Sequence, residues 1–161
     1  MISCPRLERL WDLELKQLYR EIVNEHNLHP VNRGKIEDAD LVLRGVNPSC
    51  GDDITLYMKL DGDVIKAASY DGSGCAISQA SVDMMVDQIL GKNKEEAIKL
   101  AGTFMGMIKG EITDEESIEA LDEAAALQDV AHMPARVKCA VLGWHTMQEM
   151  LEHPEKAQEN K

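Results

Sequence analysis

The stretch "DITLYMKLDGDVIKAASYDGSG", Asp53 to Gly74, decides the fold. Ile54, Leu56, Met58 and Leu60 alternate with Thr55, Tyr57 and Lys59, the period-2 pattern of a strand with one buried face. Asp61-Gly62 is a two-residue hairpin turn in the making, because Asp-Gly accepts the positive φ angles that tight turns demand. With those two residues as the loop, Leu60 is expected opposite Asp63, Met58 opposite Ile65 and Leu56 opposite Ala67. The same pairing sets Asp52 opposite Asp71 and Cys50 opposite Ser73. The hairpin thus carries "SCGD" to the same sheet end as "DGSGC", making neighbours of Cys50 and Cys75.

Working outward, "ADLVLRGV" (39–46) is a third short strand. Before it, Leu7, Leu10, Trp11, Leu15, Leu18 and Ile22 recur at helical spacing, predicting an amphipathic helix over Leu7 to His26. The polar run between them, broken by Pro30 and Gly34, is a loop. After Cys75 the period returns to helical: Ile77, Ala80, Ser81, Met84, Met85 and Ile89 form one stripe ending at Gly91, and "NKEEAIKLAGTFMGMIKG" gives another helix. Thr113 followed by Glu116 resembles a capping box that opens an acidic, alanine-rich helical segment. Pro134 interrupts it, and Val137, Val141, Trp144 and Leu151 mark a final helix. The expected class is α+β: a small three-stranded antiparallel sheet with helices packed on one face. One domain is expected over 1–161, with 154–161 a frayed tail.

The 161 residues are 44% hydrophobic and 29% charged, which suits a packed core. Against 29 Asp and Glu stand 17 Lys and Arg, for a net charge of -12. That balance argues against nucleic acid as a partner, since phosphate backbones need concentrated positive charge. No run approaches the roughly 20 apolar residues of a membrane span, and "MISCPRLERL" lacks a signal-peptide pattern, so a cytoplasmic location is expected. Cysteines in that compartment bind metal, react or lie inert more often than they pair.

Cys75 precedes one helix and Cys139 lies in the first turn or so of another. Helix N-termini carry partial positive charge, which favours the thiolate needed for metal binding or nucleophilic attack. Cys50 lies in a glycine loop two residues before Asp52, so in extended chain both side chains leave on one side. Three thiolates and one carboxylate make a tetrahedral set that zinc accepts, although structural zinc sites prefer Cys and His. Against this stands the ordinary fate of a free cysteine, which is burial without a role. Arg136 lies three residues before Cys139, on the same helical face, where a fixed cation would stabilise a thiolate or persulfide. It reads equally well as an exposed helix-start arginine. His132 is an outside candidate ligand; His26, His29, His145 and His153 read as solvated or packed, and Cys4 as a spare thiol.

"NPSCGDD" (47–53), "DGSGCAISQASVDMM" (71–85) and "ARVKCAVLGWHTM" (135–147) together resemble the SufU branch of the U-type iron–sulfur cluster assembly proteins, in matching order along the chain. The resemblance implies zinc ligands Cys50, Asp52, Cys75 and Cys139, grouped at one end of a single α+β domain. Scaffold members of the superfamily carry a histidine directly before the last cysteine, where this chain has Lys138. The 111–132 segment, between the second and third site cysteines, resembles the insert of the sulfur-transfer branch, as does Arg136. The implied function is zinc-dependent acceptance of persulfide sulfur from a pyridoxal-phosphate cysteine desulfurase of the SufS type, followed by delivery to the iron–sulfur assembly machinery. Cys50 would be the acceptor, able to leave the metal because Gly51 lets the loop move. The alternative is a scaffold on which a transient [2Fe–2S] cluster forms on the same ligands. No membrane partner is implied, and a monomer is expected.

Overall fold

The computed structural model describes residues 5–158, with side chains from 16 to 157. It opens with α1 (Pro5–Leu28), followed by β1 (Leu41–Asn47), β2 (Asp52–Asp61) and β3 (Val64–Ser73). The strands form one antiparallel sheet in the order β1-β2-β3. Helices α2 (Ala76–Ile89), α3 (Lys94–Ile108), α4 (Glu115–Glu119), α5 (Pro134–Glu152) and α6 (Pro154–Gln158) follow, with a 3₁₀ segment Asp122–His132 between α4 and α5. The three-stranded α+β class expected from the sequence is the one found.

The hairpin register differs from the expected one. Asp61 pairs with Val64, so Gly62 and Asp63 form the turn rather than Asp61-Gly62. Gly62 has φ +62, the conformation a glycine-first hairpin turn requires. An irregularity between Lys59 and Leu60 then slips the pairing once more, so Met58 faces Ala68 and Leu56 faces Tyr70. Asp53 pairs with Ser73, and neither Asp52–Asp71 nor Cys50–Ser73 is a pair. Alternation fixes which residues share a face, but a bulge shifts register without disturbing that alternation on either side. Ile54, Leu56, Met58 and Ile65 are still buried, as the pattern required.

Helix α5 is the hub. It packs against α2, α3 and the sheet, with Trp144 fully buried and stacked on Phe104 at 4.4 Å between ring centroids. The indole N–H donates to Ser81 Oγ at 3.1 Å, and Ser81 donates to the Ala140 carbonyl at 2.6 Å. The indole is thus buried with its one donor satisfied. Several helix ends follow their local chemistry: Asn93 caps α3 by accepting from the Glu96 N–H, and Pro134 opens α5 at its first turn. The cap of α4 is Asp114, which accepts from the Ser117 N–H, so the expected Thr113–Glu116 box does not form. The charged carboxylate one residue on is the stronger acceptor.

In α1, Ile22 and Val23 pack against the core while Leu18 is half-exposed. The stripe residues Leu7, Leu10, Trp11 and Leu15 lie outside the described side chains, and Cys4 outside the described residues. The tail is also corrected in part: Pro154–Gln158 is helical and Ala157 is fully buried. Among the described residues no helix is long and apolar enough to cross a membrane.

Candidate metal centre

Asp52 is the first residue of β2 and has no exposed surface. A buried carboxylate must be hydrogen-bonded, and this one is. Its Oδ1 accepts from the Cys75 backbone N–H at 2.8 Å and from Ser78 Oγ at 3.1 Å. Its Oδ2 accepts from Asn47 Nδ2 at 3.2 Å. Burial opposes its charge, but the Cys75 amide, with Cys139, Ser78 and Asn47, outweighs burial and holds the carboxyl below its usual range. Packing leaves no room for an alternative: a Cβ built on Gly74 would stand 2.6 Å from Asp52 Oδ1.

The thiols arrive from three other places. Cys50 sits, half-buried, in the turn between β1 and β2, its sulfur 3.8 Å from the Ala135 carbonyl at the start of α5. Gly51 beside it has φ +71 and open space around it. Cys139 lies in the second turn of α5, rather than the first, and is fully buried. Asn47 Nδ2 is 3.6 Å from its sulfur, so one amide reaches both Asp52 and Cys139. Cys75 caps α2, its sulfur accepting from the Ser78 N–H at 3.4 Å.

The donor atoms of Cys50, Asp52 and Cys139 all lie within 4.8 Å of one another. Cys75 falls outside that tight set, with its sulfur turned to its own helix end. It stays in touch with the cluster: burial first, then hydrogen bonds with Cys50, Asp52 and Cys75, push the Cys139 thiol up. The expectation that a helix start would favour the Cys139 thiolate therefore fails for the bare site. Burial and a neighbouring carboxylate oppose a second negative charge more strongly than the helix end favours it. Arg136 is exposed, yet its guanidinium is stabilised first by a hydrogen bond with Cys139 and then by the charges of Cys75, Cys139 and Cys50. It faces the cluster.

This donor set fits zinc. Sulfur and carboxylate oxygen converge in a largely buried space, and the Cys139 thiol is pushed up there, the opposition to charge that a cation sharing the site would relieve. Asn47 and Ser78 are the residues that sequence reasoning missed. Asn47 opens the same run that holds Cys50 and Asp52, and Ser78 stands three residues into the helix capped by Cys75. Asp53 points away and pairs with Arg44 at 2.6 Å. His132 is exposed and does not join the cluster, and His145 lies on the far part of α5 beside Glu149.

Residues 18–140 match the model of the NifU-like N terminal domain. The zinc-dependent sulfurtransferase SufU of Bacillus subtilis is 41% identical, over 86% of this chain and 92% of its own length. The iron–sulfur cluster assembly scaffold protein IscU of Thermotoga maritima is 39% identical over 84% and 94%. Among solved structures, the iron–sulfur cluster assembly scaffold protein for the SUF system from Fervidobacterium islandicum superposes with a TM-score of 0.77. It is 40% identical, over 81% of this chain and 94% of that one. With its sheet, its helix order and the cysteine–aspartate cluster at the sheet end, the chain belongs to the U-type iron–sulfur cluster assembly family, the family of the NifU-like N-terminal domain.

Proposed function

We propose that this chain is a zinc-dependent sulfurtransferase that takes persulfide sulfur from a cysteine desulfurase and passes it into iron–sulfur cluster assembly. The observation that carries the reading is the meeting of Cys50, Asp52 and Cys139 donors within 4.8 Å, with Arg136 against them and Cys50 on the accessible side. Cys50, Asp52, Cys75 and Cys139 would hold the zinc, with Cys75 turning its sulfur from the α2 end. Bound zinc would keep the thiols deprotonated and tie the β1–β2 turn to α2 and α5.

The chain's own residues supply the rest. The Cys50 thiolate attacks the outer sulfur of the donor's persulfide. The S–S bond there breaks, the donor cysteine leaves as a thiolate, and Cys50 carries the new persulfide; no oxidant or reductant is consumed. Gly51, left-handed and unobstructed, lets the Cys50 loop reorient toward a partner. Arg136 supplies a fixed positive charge beside the persulfide anion. Asn47 and Ser78 hold Asp52 in place.

The donor would be a pyridoxal-phosphate enzyme of the SufS type, and the cofactor belongs to that partner. The chain would act as a monomer in the cytoplasm. The second reading, a scaffold for a [2Fe–2S] cluster as cargo on the same ligands, draws on the relatives that carry the scaffold name. Lys138, where scaffold members place a histidine, and Arg136 favour transfer. Metal analysis and absorbance of protein purified without oxygen, with a desulfurase stimulation assay, separate the two. One zinc per chain, no visible absorption and stimulated turnover support transfer; an iron–sulfur chromophore without stimulation overturns it.

A further inference from the structure

A second cluster of charged side chains lies further along α2, where that helix meets α1 and the 3₁₀ segment. His26 of α1 is 9% exposed, and its two ring nitrogens each face a carboxylate. Nδ1 lies 2.6 Å from Asp83 Oδ2 on α2, and Nε2 lies 2.5 Å from Glu123 Oε2 in the 3₁₀ segment. Asp87, also on α2, brings a carboxylate oxygen within 4.8 Å of donor atoms of His26 and Glu123. A neutral imidazole has one donor and one acceptor, whereas an imidazolium donates from both nitrogens. Only the charged ring satisfies both contacts.

The two contacts are not equivalent. Asp83 is fully buried, and its other oxygen accepts from the Asn32 backbone N–H at 3.1 Å. The buried Tyr70 hydroxyl faces it from β3; burial first and then the Asp83 charge push that phenol up, so it stays a protonated donor. A buried carboxylate is costly to strip of a donor, so Nδ1 keeps its proton whatever the charge of the ring. Glu123 has 52% of its side chain exposed and can turn to water instead. The proton that comes and goes is therefore the one on Nε2. Without it a ring lone pair faces the Glu123 carboxylate, and the contact becomes repulsive.

The backbone around Glu123 gives a separate observation. Asp122, the residue before it, has φ 50, in the left-handed region that side chains enter at a cost. The segment starts after Leu121 with no side-chain cap. It then runs 11 residues as a 3₁₀ helix, a geometry whose poorer hydrogen bonds usually limit it to about three or four. Ala124, Leu127 and Val130 are buried and anchor its middle. Its first turn, strained and uncapped, leans on the bond from Glu123 to His26.

We propose that the His26–Glu123 contact is a proton-operated latch: the charged ring holds the first turn of the 3₁₀ segment on α1, and the neutral ring lets that turn go. The groups facing His26 are Asp83 and Asp87 on α2, Glu123 on the segment and, behind Asp83, Tyr70 on β3. Burial opposes the charged ring, but hydrogen bonds and charges from Asp83 and Glu123 outweigh it and raise the pKa above its ordinary value. The latch is therefore closed below the ordinary histidine value of about 6.5 and opens as pH rises through the folded value. Opening is confined to the first turn, because Ala124, Leu127 and Val130 keep the rest of the segment in the core. The device makes the acidic segment between the second and third site cysteines respond to protons without touching those cysteines.

The test uses the full-length, zinc-loaded chain and reads amide hydrogen exchange by nuclear magnetic resonance, as protection factors, from about pH 6 to 9. Amides 121–126 should lose protection about tenfold or more as pH rises, the scale of one charge-assisted hydrogen bond, with the midpoint of the His26 ring's own titration. Glu123→Gln, at an exposed position, should flatten that drop, because its amide donates to the neutral ring as well as accepting from the charged one. Glu119→Gln, an exposed carboxylate elsewhere in the acidic stretch, should leave the drop in place. Protection that stays constant with pH in the wild type, or a drop that survives Glu123→Gln, overturns the proposal. No sulfur donor takes part in the measurement, so either failure leaves the sulfur-transfer reading where it stood.

Discussion

Helix α2 carries a polar cluster at each of two levels, and they are built from opposite chemistry. At its N-terminal cap, Cys75 joins Cys50, Cys139 and one buried carboxylate. Two to three turns on, Asp83 and Asp87 join His26 and Glu123, with no sulfur at all. The first cluster already holds one ionised carboxylate, Asp52, and burial and crowding push the Cys139 thiol up beside it. The second is charged at rest: burial alone would lower His26, but hydrogen bonds and charges from Asp83 and Glu123 outweigh it and raise its pKa. One helix therefore anchors a thiol–carboxylate cluster at its cap and a charged histidine clamp further along.

The largest expected effect breaks the comparison at its reactive end. Cys50→Ala should reduce stimulated desulfurase turnover to that of the desulfurase alone while leaving the His26 clamp, read as the pH dependence of unfolding, unchanged. Full stimulation by that variant would make the chain a noncatalytic adaptor.

Asp52→Ala comes next. It removes the acceptor for Cys75 N–H, Ser78 Oγ and Asn47 Nδ2, so the metal-free protein should lose about 1–3 kcal/mol in denaturant unfolding, the cost of stranded buried donors. Zinc content should fall with it, and unchanged zinc and stability would contradict the ligand role. Gly74→Ala should weaken the same centre by pressing a methyl group on Asp52 and Ser78, read as a lower zinc affinity in a chelator competition.

The two clusters should also respond to pH with opposite signs. Zinc retention requires deprotonated thiols, so it declines as pH falls. The His26 clamp has a raised folded pKa. Its stabilisation is fully present below the unfolded value of about 6.5 and is lost as pH rises through the folded value. In chelator, thermal stability of the wild type should therefore drop over that window, and His26→Gln should flatten the drop. An undiminished slope in that variant would remove His26 from the account. The smallest effect is expected for Gly51→Ala. A side chain at φ +71 costs about 1–2 kcal/mol without a clash, visible as a small shift in unfolding midpoint.

How legible each cluster was follows from how it is assembled. Cys50 and Asp52 stand in one run, and the hairpin alternation was enough to bring Cys75 to the same sheet end. The three strands could thus be read before any coordinates, whereas Cys75, reached through a pairing that does not form, lies outside the tight set of Cys50, Asp52 and Cys139 donors. The register could not, because the slip at Lys59/Leu60 and the choice of Gly62-Asp63 as turn leave the alternation of Ile54, Leu56 and Met58 intact. The second cluster was invisible for a different reason. His26 sits 57 residues from Asp83 and 97 from Glu123, on elements whose docking no local pattern specifies. His26 alone reads as an ordinary helix-end histidine, and Glu123 as one more acid in an acidic segment. Asp114 as the cap in place of Thr113 shows the same limit at short range, where two good capping residues compete side by side.

The central claim is that Cys50 receives sulfur. The most direct measurement is mass spectrometry of the zinc-loaded chain after reaction with a cysteine desulfurase and cysteine, with the persulfides trapped by alkylation and mapped by peptide. The account predicts one added sulfur atom, on the peptide containing Cys50, and none there in Cys50→Ala. Added sulfur on Cys75 or Cys139 with Cys50 unmodified, or no added sulfur while turnover is stimulated, would contradict it.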